Sequence, residues 1–280
     1  MPIKLEHILN RVHALPSLPT AAVKVVALTK NPATTVKELE TVIGQDPALA
    51  AGVLRQANSA YYGYARRISS LQEAIVMLGF QVTQGLAMAS AVAPMLKTTL
   101  AGYDIDQDGL WKHSMLTAMA AKRLCHYLNF PLGETAFTIG LLHDIGKLVI
   151  AIYVQEVNTY LLKKVQEAKF SYVELEEKVI GYNHATVGGF LAQNWNLPQD
   201  LVEGISFHHS PLSAPNYSEL ASIVHVANGL ASQLNTGGGV DSFFNPIQEK
   251  VLDLLALKEN DLERLMSDIG EFLVDPSIFG

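Results

Sequence analysis

Five of the nine histidines in this sequence, His113, His143, His184, His208 and His209, stand beside an aspartate or in short motifs that bracket predicted helix ends. Neutral imidazole nitrogen and carboxylate oxygen are the ligands that divalent transition metals take, and a carboxylate set between two ions can bridge them. His143 and Asp144 are consecutive. On a helix their side chains diverge by about 100°, which lets both converge on a site at the helix flank. The other histidines fall on separate predicted helices, at 110–124, 181–194 and 201–209, so a bundle could gather them as helical bundles gather dimetal sites.

Other chemistries find little support. The chain has no Gly-rich phosphate loop, nucleophile elbow or paired zinc-finger cysteines. Cys125 is the single cysteine, which excludes an intrachain disulfide and suits a reducing compartment; its neighbours Ala120–Leu128 make it a small buried apolar residue. Asp104-Ile105-Asp106-Gln107-Asp108-Gly109 opens like a calcium loop, but Met115 stands where the last acidic ligand is required. Asn58-Ser59-Ala60-Tyr61-Tyr62-Gly63-Tyr64 with Arg66 and Arg67 offers groups that could stack on and pair with a nucleotide, or forms a structural loop with packed tyrosines.

The elements that must position these residues are helical. Val23, Val26 and Ala27, then Leu39, Val42 and Ile43, then Leu110, Met115, Leu116 and Met119 recur at three- and four-residue steps, and no alternating strand pattern is convincing. Thr35 with Glu38 reads as a capping box, and Pro19, Pro47, Pro198 and Pro211 read as first-turn or interhelix punctuation. The apolar stretch 74–96 is interrupted by Gly79, Gln81, Thr83, Gln84, Gly85, Ser90 and Pro94, so it predicts a buried helix pair and no membrane span. The chain is 49% hydrophobic and 17% charged, the composition of a folded globular protein. Its net charge of −7 gives no overall attraction to nucleic acid or anionic lipid, so direct nucleic-acid binding is disfavoured. Residues 1–10 include Lys4, Glu6 and His7 and lack the apolar core of a signal peptide, which places the expectation in the cytoplasm. A composition shift at 98–109 divides the chain into a predicted N-terminal lobe, 1–100, and a histidine-bearing lobe with C-terminal helices, 101–280; a glycine-rich surface loop is expected at 234–245.

Gly140-Leu141-Leu142-His143-Asp144-Ile145-Gly146-Lys147 closely resembles the HD signature of metal-dependent phosphohydrolases. Leu15-Pro16-Ser17-Leu18-Pro19, Gln45-Asp46-Pro47, Asn58-Ser59-Ala60-Tyr61-Tyr62, Ile68-Ser69-Ser70-Leu71-Gln72-Glu73-Ala74-Ile75 and Leu78-Gly79, followed by Asn183-His184-Ala185, Trp195, Leu197-Pro198 and His208-His209, are similar to the landmarks of the HDOD family over roughly residues 10 to 230. The resemblance implies an all-α, compact multi-helix bundle with an N-terminal HDOD lobe, associated with bacterial signal transduction. It implies that His113, His143 and Asp144 hold one metal while Asp144, His184, His208 and His209 hold a second. Fe, Mn, Ni or Zn would suit, as one ion or two. The closing aspartate of the ligand series falls at Asn228, a neutral and poorer ligand, with His225 one turn before it on the same face.

Asp144 and Lys147 are the catalytic candidates. The metal would activate water and clamp a phosphoryl oxygen while Lys147, four residues after His143, reaches a phosphate or else ends the helix in solvent. A Gly-Tyr-Pro segment marks the HD-GYP enzymes that cleave cyclic dinucleotides; here His208-His209 runs into Ser210-Pro211-Leu212, which disfavours that activity. Two functions follow from the resemblance: a signalling protein with a phosphohydrolase site for a phosphate ester or nucleotide, or a non-catalytic regulatory module whose metal site is structural or vestigial. Its partner would be a signalling protein or a small phosphorylated ligand.

Overall fold

Side-chain oxygens set where the first helices begin. In the computed structural model the Thr35 hydroxyl accepts from the Glu38 N–H at 3.3 Å and the Glu38 carboxylate accepts from the Thr35 N–H at 2.8 Å, the reciprocal box the sequence predicts. Such a cap contributes about 1 kcal/mol. Asp46 caps the following helix through the Ala48 and Leu49 N–H groups, with Pro47 at the first helical position. The structure describes residues 7, 8, 10, 13, 17–64, 66–151, 153–155, 171–234, 237, 239 and 246–273. The N-terminal segment without an apolar core therefore lies almost wholly outside the described residues.

The chain divides into two units, one built on Ser17–Pro94 and one on Met95–Ile269. The first holds α1 (Thr20–Thr29), α2 (Val36–Gly44), α3 (Pro47–Ala57), α4 (Leu71–Leu78) and most of α5 (Phe80–Leu96). Helix α2 packs on α1, α3 and α4, and Val25, Val26, Leu39, Ile43, Val53 and Ile75 form the core between them. The expected helix pair at 74–96 is α4 and α5, separated by Gly79 at φ 80°. Its first member is only half buried, with Val76 66% exposed, because α4 covers α2 and α3 with one face only. The Asn58 amide closes the loop before α4: Nδ2 donates to Leu54 O at 2.7 Å and Ile68 O at 3.0 Å, while Oδ1 accepts from Ile68 N–H at 2.8 Å.

The second unit holds α6 (Gly109–Tyr127), α7 (Gly133–Leu142), α8 (Tyr172–Ile180), α9 (His184–Asn194), α10 (Gln199–Phe207), α11 (Ser218–Gln233), α12 (Glu249–Leu254) and α13 (Glu259–Gly270). Helix α6 is buried almost all round and packs on α7 and α11; α10 packs on α7, α9 and α11. A Cβ at Gly140 would stand 2.7 Å from Ala118 Cα, so α6 and α7 lie backbone to backbone where only small residues fit. Ahead of α6, Asp104 and Asp108 take left-handed turns at φ 56° and 65°, a conformation aspartate tolerates, around an isolated Leu100–Ile105 bridge. Among the described residues all other regular structure is helical, so the protein is all-α. No described helix is long and apolar enough to cross a membrane. Most of the expected loop at 234–245 lies outside the described residues; Gly237 packs on the backbone of Gly109.

Candidate metal centre

Five elements of the second unit each deliver part of one cluster. His113 lies in the first turns of α6, His143 follows the last residue of α7, His184 opens α9, His208 follows the last residue of α10 with His209 next, and Asn228 lies within α11. The sequence expects His143 and Asp144 on a helix flank. Instead α7 stops at Leu142 and the pair occupies a tight turn, with the Ile145 N–H donating to Leu142 O and the Lys147 N–H to Asp144 O, both at 3.0 Å. Gly146 explains the difference: a Cβ there would stand 2.0 Å from His184 O and 2.6 Å from Gly188 N. The turn lies against the start of α9 at a distance that no side chain permits, and this seats Asp144 beside His184.

Asp144 is the hub. Its Oδ2 is 3.3 Å from His143 Nε2, 3.7 Å from His113 Nε2 and 2.8 Å from Lys147 Nζ; its Oδ1 is 3.2 Å from His184 Nε2 and 3.9 Å from His208 Nε2. His184 Nε2 also lies 2.9 Å from His209 Nε2. Two trios result, His113 with His143 and Asp144, and His184 with His208 and His209, each with candidate ligand atoms within 4.8 Å of one another. The rings are oriented from behind. His143 Nδ1 donates to Gly140 O at 2.7 Å and His208 Nδ1 to Ile205 O at 2.8 Å, which leaves both Nε2 lone pairs facing inward.

Those two Nε2 atoms, His113 Nδ1 and both Asp144 oxygens are buried without a close hydrogen bond, although Oδ2 keeps its ion pair with Lys147 and Oδ1 lies 3.2 Å from His184 Nε2. Buried lone pairs without partners are costly, and imidazoles converging on a carboxylate are the donor set of a divalent transition metal, so the residues fit such an ion. His113 is oriented differently. Its Nε2 is 3.0 Å from the Asn228 amide oxygen, an acceptor only, so the proton sits on Nε2 and Nδ1 has no partner. Lys147 is buried, 1% exposed, with its ammonium 5.2 Å above the Tyr103 ring, so it does not end a helix in solvent.

Glu176 and Tyr103 complete the centre and were not anticipated. Glu176 Oε2 accepts from both Nδ1 and the backbone N–H of His184, at 2.8 and 2.9 Å, and Oε1 accepts from the Tyr103 hydroxyl at 2.6 Å. A signal was present: Glu176 stands four residues after Tyr172 and four before Ile180, a carboxylate on the apolar stripe of α8. His225 is a packed residue, with Nδ1 donating to His208 O at 2.8 Å and Nε2 accepting from the Gln248 N–H at 3.2 Å.

Burial opposes charge throughout the cluster, and the carboxylates decide who escapes it. Burial, then the neighbouring His143 and Lys147, pushes His113 down to about 3 against the pull of Asp144. Burial and adjacent histidines likewise hold His208 and His209 well below the usual range. For His184 burial is outweighed by Glu176 and Asp144, which lift it to about 10. Burial would raise Asp144, but His143 and Lys147 hold it well below the ordinary carboxylate value.

Comparison with known families matches residues 15–211 to the HDOD domain. The chain belongs to the HDOD family. An uncharacterized protein of Treponema pallidum (strain Nichols) is 29% identical over 223 residues, 79% of this chain; the match spans 43% of that relative's length. Among solved structures, a candidate phosphohydrolase of Shewanella amazonensis is similar at 29% identity and a TM-score of 0.72, covering 98% of this chain and 95% of that one. An HDOD domain protein of unknown function from Geobacter sulfurreducens shares the fold at 24% identity and a TM-score of 0.74, covering 99% and 97%.

Proposed function

We propose that this HDOD protein is a bacterial signal-transduction component whose histidine–aspartate centre holds one or two divalent metal ions and hydrolyses a phosphate ester or nucleotide. The observation that carries the reading is the set of unpartnered lone pairs around Asp144. In this reading His184, His208, His209 and Asp144 hold one ion, and His143, Asp144 and His113 a second, with Asn228 beside them. A bound ion supplies Lewis-acid chemistry at a phosphoryl oxygen. Glu176 fixes the tautomer of His184, as carboxylates behind metal-ligating histidines do. Lys147 neutralises Asp144. The trio of His113, His143 and Asp144 is the weaker, because the amide of Asn228 beside it adds no charge and His113 must change tautomer before its Nε2 binds. In this reading the lobe of residues 1–100 and the lobe of residues 101–280 divide the function, with the centre in the second.

One observation favours the regulatory alternative. His143, His184 and His208 are 0% exposed and Asp144 is 1% exposed, so a substrate has little access to the centre. Elemental analysis of protein purified without added metal or chelator, beside His143→Ala with Asp144→Ala, is the first test. Near-stoichiometric iron, manganese, nickel or zinc in the parent, lost in the double variant, supports the centre. Turnover of p-nitrophenyl phosphate or its bis ester by the loaded parent alone then supports hydrolysis. Metal without turnover moves the reading to the regulatory module, and no metal after reconstitution removes the centre.

A further inference from the structure

The first unit carries a cleft of its own, with a volume of about 920 Å³, made by the end of α3, the loop that follows it and the approach to α4. Arg55, Arg66 and Arg67 line it with Ser59, Tyr64 and Ser69, and no carboxylate is in the lining. In a chain of net charge −7, guanidiniums around one cleft without a carboxylate in its lining reverse the local charge. Glu73 engages Arg66 at 2.7 Å. Arg55 and Arg67 have no ion-pair partner among the described residues.

The cleft is formed in advance of any ligand. The three Asn58 hydrogen bonds hold its loop to Leu54 and Ile68, and Ala57 and Ile68, 0% and 2% exposed, make a dry floor. Tyr64 is anchored by its hydroxyl to Met77 O at 3.1 Å and remains 36% exposed. Arginine forks match the geometry of phosphate oxygens, an exposed aromatic face stacks a base, and small-ligand sites run from about 300 to 1,000 Å³. A bare inorganic anion would leave most of this space unfilled.

We propose that this cleft binds a nucleotide, with Arg55 and Arg67 pairing its phosphates and Tyr64 offering the stacking face. No residue of the histidine centre takes part, so the inference stands apart from the hydrolase reading. The test is fluorescence polarisation of methylanthraniloyl-labelled ADP and GDP with the full chain. Saturable binding is expected, weakened at least about tenfold in Arg55→Ala with Arg67→Ala and unchanged in His143→Ala with Asp144→Ala. Tyr64→Leu should weaken binding of the labelled nucleotides without altering competition by pyrophosphate. ADP should displace the probe more effectively than pyrophosphate does. If the arginine variant melts below the parent, Arg67→Gln alone is read instead. The proposal is overturned by the absence of saturable binding, by binding that survives the arginine change but not the histidine–aspartate change, or by pyrophosphate competing as well as ADP.

Discussion

Asn228 sets the character of one half of the candidate metal centre. An amide oxygen 3.0 Å from His113 Nε2 accepts a proton-bearing nitrogen and gives a cation little in return. Replacing it by aspartate restores a charged ligand, so Asn228→Asp is expected to raise affinity for the second equivalent of metal by about tenfold in a chelator competition. Unchanged stoichiometry and affinity would remove Asn228 from the ligand set. On the opposite side Glu176→Gln keeps the shape behind His184 but removes the charge that steadies it. Metal affinity should fall by about 10–100-fold. Tyr103→Phe, which deletes the 2.6 Å hydrogen bond to Glu176, should lower it less. Equal losses in the two variants would mean that Glu176 acts through packing alone.

At the scale of elements, the centre depends on backbones that touch. Gly146→Ala forces the turn of residues 143–146 away from α9, and a loss of about 3 kcal/mol is expected in denaturant unfolding, together with metal content. Glu203 performs a comparable task between α10 and α11: it accepts from the Asn216 N–H and Nδ2 and from the Tyr217 N–H, at 2.9, 2.8 and 3.2 Å. Burial would raise its pKa, but these bonds outweigh burial and lower it. The stability it contributes is therefore present above the unfolded carboxylate value and lost as pH falls through the folded one. Glu203→Gln should flatten that acid limb of the melting temperature while leaving the neutral side less affected. Cys125 lies buried on α6, its thiol pushed up to about 12 by burial with Glu134 adding. It should resist a disulfide reagent at pH 8 until the protein is denatured. The helices were legible because caps and period are local: Thr35 with Glu38 and the stripe of α2 need no distant residue. The neighbouring histidines and Asp144 were legible through residue chemistry and the family motif. The break after Leu142 was not, because it depends on a contact between Gly146 and a residue 38 positions later, which periodicity does not record. Glu176 was readable as a charge on an apolar stripe, whereas Tyr103 has no such mark and is placed only by the fold.

For the whole molecule, the question is what holds the second unit together when no ion is present. Lys147 and His184 stand against Asp144 and Glu176, two positive groups against two negative ones inside one buried cluster. The Tyr103 ring lies under the lysine while its hydroxyl binds Glu176, so the four charges close into a circuit. After dialysis against a chelator the protein should keep its helical circular dichroism and unfold cooperatively, with a melting temperature lowered only by the lost binding energy, about 3 kcal/mol for an ion at a hundred times its Kd. Collapse of the helical signal would show that the ion is required for the fold, as in small zinc domains. The balanced charges carry a further consequence. If the dialysed protein stays folded, any ion the centre holds would be an exchangeable guest, and its occupancy would follow the metal supplied.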